Sequence, residues 1–186
     1  MDIKSSLLSS LVLLLFLLFV QFTNATPKIL DVNTICNQTQ NPSLCSKILN
    51  SKPGGADGAD LNSLANYTIG VARSNVTNTI RLIKFLIRNS TDSDAKDHYE
   101  LCLTHFGDED ALKAVERAEK MLKAKDYKSV NIAAGDVATS EACVYGDSPS
   151  DPVFPDHSLL PHFAEYVEHV AEVICVISNY LSGDYN

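Results

Sequence analysis

Cys36, Cys45, Cys102, Cys143 and Cys175 are the residues of this chain most able to do chemistry, and their spacing says which chemistry. Eight residues separate Cys36 from Cys45 and forty separate Cys102 from Cys143, while Cys175 stands alone. Paired cysteines in a chain that matures in an oxidising compartment act as staples, so two disulfides and one free thiol are expected. Zinc is not expected, because no Cys-x-x-Cys occurs and no histidine accompanies the cysteines at ligand spacing. His162, Glu165 and His169 follow an i, i+3, i+7 pattern that lines up three potential ligands on one helix face. Glu168 and Glu172 crowd the same stretch and make it read as a solvated stripe, so no metal or other cofactor is predicted. Cys175, flanked by Val173, Ile174, Val176 and Ile177, reads as a small buried hydrophobe. Gly-x-Ser-x-Gly, His-Glu-x-x-His and a phosphate-cradling glycine loop are all missing from the sequence, and the chain is not expected to be an enzyme.

The oxidising compartment is inferred from residues 1–25. Lys4 precedes an apolar run from Leu11 to Val20, and polar residues then lead to the small Ala25. The run is too short for a bilayer-crossing helix, which needs about 20 apolar residues, and reads as a cleavable signal peptide. The mature protein, 26–186, is expected to be secreted, monomeric and free of any membrane span. Sequons at Asn37, Asn66, Asn75 and Asn89 fit that route and are candidate glycosylation sites. The formal net charge of -8 argues against nucleic acid as a partner, since counterion release would oppose binding. It suits a basic protein partner better.

The elements that must position these residues are helices throughout. In Asp60 to Asn89, Leu61, Ala65, Ile69, Ala72, Val76, Ile80, Ile83 and Ile87 recur in steps of three and four and predict one long amphipathic helix. A second is predicted over Asp94 to Ala124, with Tyr99, Cys102, Phe106, Leu112, Val115 and Leu122 inward and a kink or restart at Gly107 to Asp110. A third covers Tyr127 to Tyr145, a proline-rich loop Gly146 to His157, and a fourth Leu160 to Leu181. Ahead of them, Lys28 to Gln38 and Pro42 to Asn50 read as two short helices closed by Cys36 and Cys45. The predicted fold is all-α: a hairpin over 26–52 and an up-down-up-down four-helix bundle over 57–186, with Cys102 and Cys143 stapling the second helix to the third.

Several segments, in order, carry a resemblance. They are Thr34-Ile35-Cys36 with Asn41-Pro42-Ser43-Leu44-Cys45, Tyr99-Glu100-Leu101-Cys102, Lys125 through Asn131, Ala142-Cys143, and Val176-Ile177-Ser178-Asn179. With the two cysteine pairs at matching separations, the mature chain resembles the plant pectin methylesterase inhibitor and invertase inhibitor family over essentially its whole length. The resemblance implies secretion into the cell wall (apoplast) and non-catalytic inhibition through a one-to-one complex with a carbohydrate-active enzyme. It places the contact surface at the entry to the third helix, on Lys125, Asp126, Tyr127 and Lys128, with Asn131, Asp136 and Thr139 on that helix's outer face. Invertase inhibitors of the family often carry Pro-Lys-Phe where this chain has Tyr127-Lys128-Ser129, so pectin methylesterase is the expected partner and acid invertase the alternative. Departures at Gly107 to Asp110 and Gly135 to Ala142, and Cys175 about one turn later than the family pattern, bear on inhibition more than on fold.

A non-inhibitory wall protein holding a small apolar ligand is a further alternative. Ile83, Ile87, Phe106, Leu112 and Leu122 argue against it, being large enough to fill the core. Should His98, His105, Asp136 or Glu141 lie in the interface, binding is expected to vary with pH across the mildly acidic range.

Overall fold

The computed structural model describes residues 28–107, 110–146 and 153–185. The signal-peptide reading therefore lies outside the described residues. Two short helices come first, α1 (Val32–Cys36) and α2 (Pro42–Asn50). The Asn41 side chain caps α2 by accepting from Leu44 N, and Pro42 sits where a missing N–H does no harm.

Asp60 opens α3 (Leu61–Asn89) by accepting from Ser63 N at 3.0 Å. The predicted stripe is buried at Leu61, Ala65, Ile69, Ala72, Val76 and Ile83, while Ile80 and Ile87 are half-buried. Thr68 and Thr79 share the buried face because their hydroxyls bond the carbonyls of Leu64 and Asn75 one turn back and leave no donor unpaired.

The second predicted helix is two helices, α4 (Ser93–Phe106) and α5 (Ala111–Lys123). Gly107 is required at the break, since a Cβ there would stand 2.6 Å from the Leu103 carbonyl oxygen. Asp110 precedes α5 without capping it through its side chain. Arg73 on α3 holds α5 through a two-pronged pair with Glu119 at 2.7 and 2.8 Å.

The third predicted helix is also shorter than expected. α6 (Tyr127–Ala138) passes through one 3-10 turn, Thr139–Glu141, into α7 (Ala142–Tyr145), which Gly146 ends at φ 83°. Thr139 and Ser140 turn their hydroxyls onto the Asp136 and Val137 carbonyls and so favour the tighter turn. The last helix, α8 (Leu160–Ser182), closes with Gly183 in the left-handed region at φ 86°.

Packing completes a four-sided bundle in which α3, α5, α6 and α8 each touch two neighbours, α8 returning to α3. The hairpin lies against α8: Glu172 accepts from Gln40 N at 2.8 Å, and Lys28 Nζ donates to the Tyr180 carbonyl. Its Ile35, Cys36, Cys45 and Leu49 join the same core as the bundle. Phe106 and Ile83 lie fully inside and Leu122 is buried, whereas Ile87 and Leu112 are only half-buried. Disulfides join Cys36 to Cys45 within the hairpin and Cys102 on α4 to Cys143 on α7.

The bridges close loops of sequence separation 9 and 41. Chain entropy assigns about 3 kcal/mol to the first and about 4 kcal/mol to the second. Replacing Cys102 and Cys143 by serine should therefore lower the urea midpoint more than replacing Cys36 and Cys45. The reverse order in urea melts would mean that the hairpin, not the α4–α7 staple, limits the fold.

Candidate functional site

Between α5 and α6 the chain reverses in three residues, Ala124, Lys125 and Asp126. Lys125 N donates to the Leu122 carbonyl and Asp126 N to the Met121 carbonyl, both at 3.0 Å, which closes α5 in a Schellman arrangement. The left-handed position that glycine usually takes is held by Lys125 at φ 58°, the one non-glycine residue with positive φ among the described residues. A side chain in that conformation costs about 1–2 kcal/mol. Asp126 then caps α6, accepting from Ser129 N and Ser129 Oγ, and these bonds hold its carboxyl below the usual range. Lys125, Asp126 and Lys128 are exposed, whereas Tyr127 is half-buried and leans on the core.

Along α6, Val130, Ala133, Ala134 and Val137 face the core. Asn131, expected on the outer face, instead turns to α8, where its Nδ2 approaches the Cys175 carbonyl at 3.0 Å, Ser178 Oγ at 3.1 Å and Asn179 Oδ1 at 2.9 Å. Asp136 pairs with Arg117 of α5, and Thr139 is exposed at the helix end. The residue that sequence reasoning missed is Ile132, 64% exposed. Its signal was legible, for it falls out of step with the buried stripe and in step with Lys128, Asp136 and Thr139 at i−4, i+4 and i+7.

The titratable candidates separate. His98 is buried away from this face, stacked on Phe154 at 4.5 Å with Nε2 3.5 Å from Asp156 Oδ2, and burial lowers its pKa against the pull of that carboxylate. It serves the fold by fastening the segment before α8, together with Tyr99, whose hydroxyl donates to Asp156 Oδ1. His105 is half-buried with Nδ1 3.9 Å from Asp110. Glu141, on the 3-10 turn, is pushed from 4.5 to about 7 by burial and then by a hydrogen bond with Glu168 and the nearby Glu165.

His162, Glu165 and His169 form a ladder in which Glu165 lies 3.9 Å from His162 and 3.8 Å from His169. No group of three or more His, Cys, Asp or Glu could hold a metal ion among the described residues. Cys175 is a free, part-buried thiol pushed up to about 11 by burial, with Sγ 3.7 Å from the Asn131 carbonyl. What the molecule offers outward is a surface: a charged corner leading into an apolar-centred stripe. No helix among the described residues is long and apolar enough to cross a membrane.

Residues 31–172, which contain this corner and stripe, match the family described as plant invertase/pectin methylesterase inhibitor. The chain belongs to that family. A pectinesterase inhibitor of Actinidia deliciosa is 34% identical over 185 residues, spanning 97% of this chain and 96% of the relative. Pectinesterase inhibitor 2 of Arabidopsis thaliana is 27% identical over 87% of this chain and 90% of its own length. Among solved structures, a mutant form of an Arabidopsis pectin methylesterase inhibitor superposes with a TM-score of 0.67 at 26% identity, covering 80% of this chain and 95% of that one. Family and relatives are inhibitors, so this chain is a proteinaceous inhibitor and not an enzyme.

Glu141 gives this chain a pH dependence whose sign can be stated. Its folded-state value lies above the unfolded one, so its contribution is most favourable below about pH 4.5 and is lost as the pH rises to about 7. Glu141→Gln should leave stability unchanged near pH 4 and raise it at pH 7.5 by about 1 kcal/mol, reduced from the face value by solvent screening. Thermal melts of the variant and the parent at the two pH values check this; an equal difference at both would remove the shared proton.

Proposed function

We propose that this protein inhibits pectin methylesterase by presenting the α5–α6 corner and the outer stripe of α6 to the enzyme's substrate cleft, one inhibitor to one enzyme. The observation that carries the reading is the outward line of exposed Lys128, Ile132 and Thr139 with half-buried Asp136, led by exposed Lys125, on a chain whose relatives are named pectinesterase inhibitors. A polar ridge with one apolar residue near its centre suits a cleft that excludes water around a single anchor. Asn131 positions that ridge from behind, and Tyr127 buttresses its base. The protein acts as a monomer after secretion into the cell wall, with the sequons as candidate glycan sites. Acid invertase is the second reading, supported by the family's joint description and disfavoured by Tyr127-Lys128-Ser129 in place of Pro-Lys-Phe.

Purified mature protein, assayed side by side, should inhibit a plant pectin methylesterase competitively and leave an acid invertase active. Ile132→Asp should weaken inhibition by about 10-fold or more, equivalent to about 1.4 kcal/mol, at unchanged melting temperature. Tyr127→Ala with Lys128→Ala should weaken it as well, whereas Asn131→Ala should lower stability first. Lys125→Gly should do the opposite, relieving the left-handed backbone and raising stability by about 1 kcal/mol while weakening inhibition. Inhibition of invertase alone would reverse the target, and inhibition of neither would favour the non-inhibitory binding protein.

A further inference from the structure

On the side of the bundle away from α6, Asn66, Tyr67, Gly70 and Asn75 of α3 line a shallow hollow of about 450 Å³. At Asn75 it continues into a second of about 250 Å³, walled by His162, Phe163 and Tyr166 of α8. Asn66 and Asn75 each begin a sequon, Asn66-Tyr67-Thr68 and Asn75-Val76-Thr77, so one end of the groove and its midpoint each carry a glycan acceptor. Gly70 lies mid-helix in α3, where glycine is the least favoured residue after proline. Nothing in the fold demands it, because its φ is not positive and a Cβ there would meet no atom within 4 Å. What Gly70 supplies is an open floor. Aromatic faces on Tyr67, Phe163 and Tyr166 can pack against sugar C–H groups, and His162 and Ser74 can hydrogen-bond hydroxyls.

We propose that this groove holds the protein's own N-linked glycan, attached at Asn66 and laid over Gly70 toward Tyr166, and that Asn75 stays unmodified. Asn66 is exposed, whereas Asn75 is half-buried and its Nδ2 donates to the Val71 carbonyl at 2.8 Å. Thr68 is fully buried with its hydroxyl on the Leu64 carbonyl, so the sequon is read before α3 folds, as the chain enters the secretory lumen. Folding then selects the glycosylated chains that can close the bundle: a glycan on exposed Asn66 leaves α3 free to pack, whereas one rooted on half-buried Asn75 stands in the seam with Phe163 and Tyr166 of α8. In the lumen Asn66 Nδ2 bonds to the anomeric carbon of the first N-acetylglucosamine. The lipid-linked pyrophosphate donor leaves with its electron pair, and the amide loses one proton. The proposal rests on the secretory route and not on the identity of the inhibited enzyme.

The test is the full chain secreted from a plant host with Asn37→Gln and Asn89→Gln, which leaves only the two groove sequons in residues 26–186. Glycopeptide mapping should find Asn66 occupied and Asn75 free, and Asn66→Gln should lower the melting temperature by about 3 °C. Gly70→Leu fills the floor, so in that background the glycosylated and Asn66→Gln proteins should melt together. If Gly70→Leu does not fold, Tyr166→Ala gives the same paired comparison. An unoccupied Asn66, an occupied Asn75, equal melting of the parent and Asn66→Gln, or a difference that survives the groove substitution would each overturn the proposal.

Discussion

The Asn131 amide fixes which face of α6 meets solvent, and the surface proposed to inhibit the enzyme depends on that rotation. Bonded to the Cys175 carbonyl, Ser178 and Asn179 of α8, it sits at the seam of the two most closely packed helices. A half-buried amide gains little net energy when satisfied but leaves a large penalty when not, so it specifies alignment more than it adds stability. Turning α6 by one residue would strand that amide and draw Ile132 inward against Cys175. The exposed isoleucine is thus a consequence of a polar contact on the opposite side of the helix.

The two ends of the bundle are built differently. At the α5–α6 corner, exposed charge surrounds a lysine held in a conformation that favours glycine, and α5 is kept in place on both flanks by ion pairs, Arg73 with Glu119 and Arg117 with Asp136. Solvent-accessible ion pairs of this kind, the first half-buried and the second more exposed, contribute about 1 kcal/mol each, so they direct the angle of α5 more than they strengthen it. At the other end the Cys102–Cys143 bridge and the buried His98–Asp156 contact add a covalent and a buried polar constraint. Rigidity lies at the disulfide-bonded pole, and the strained Lys125 backbone lies at the corner proposed to meet the enzyme.

Apolar period and capping chemistry were legible in the sequence, which is why α2, α3 and α8 start and stop within a residue or two of the expected positions. The stripe did not say which polar residues would be satisfied inside. Thr68 and Thr79 carry hydroxyls that a hydropathy pattern sends to the surface, yet each bonds its own helix and is buried. Asn131 was misplaced for a related reason, since its three acceptors come from a helix more than forty residues away. His98 looked like a surface titrating group until Phe154 and Asp156 closed over it from a loop that local pattern could not dock. Gly107 was visible as a weak point, but the Leu103 carbonyl that makes it a full break is a fact of three dimensions. At the site, the corner residues were legible from the resemblance and Ile132 from its phase, whereas the inward turn of Asn131 was not.

The tether of Lys28 to Tyr180 has a topological consequence. Tyr180 adjoins Asn179, Asn179 bonds Asn131, and Asn131 stands one turn beyond Tyr127, so Lys28 and Gly183 converge on the same pole as the α5–α6 corner. Any cargo, surface or reporter attached near either of those residues shares space with whatever docks there. An attachment made through the opposite pole, in the Ser90 to Asp92 connection, leaves the proposed docking pole unobstructed.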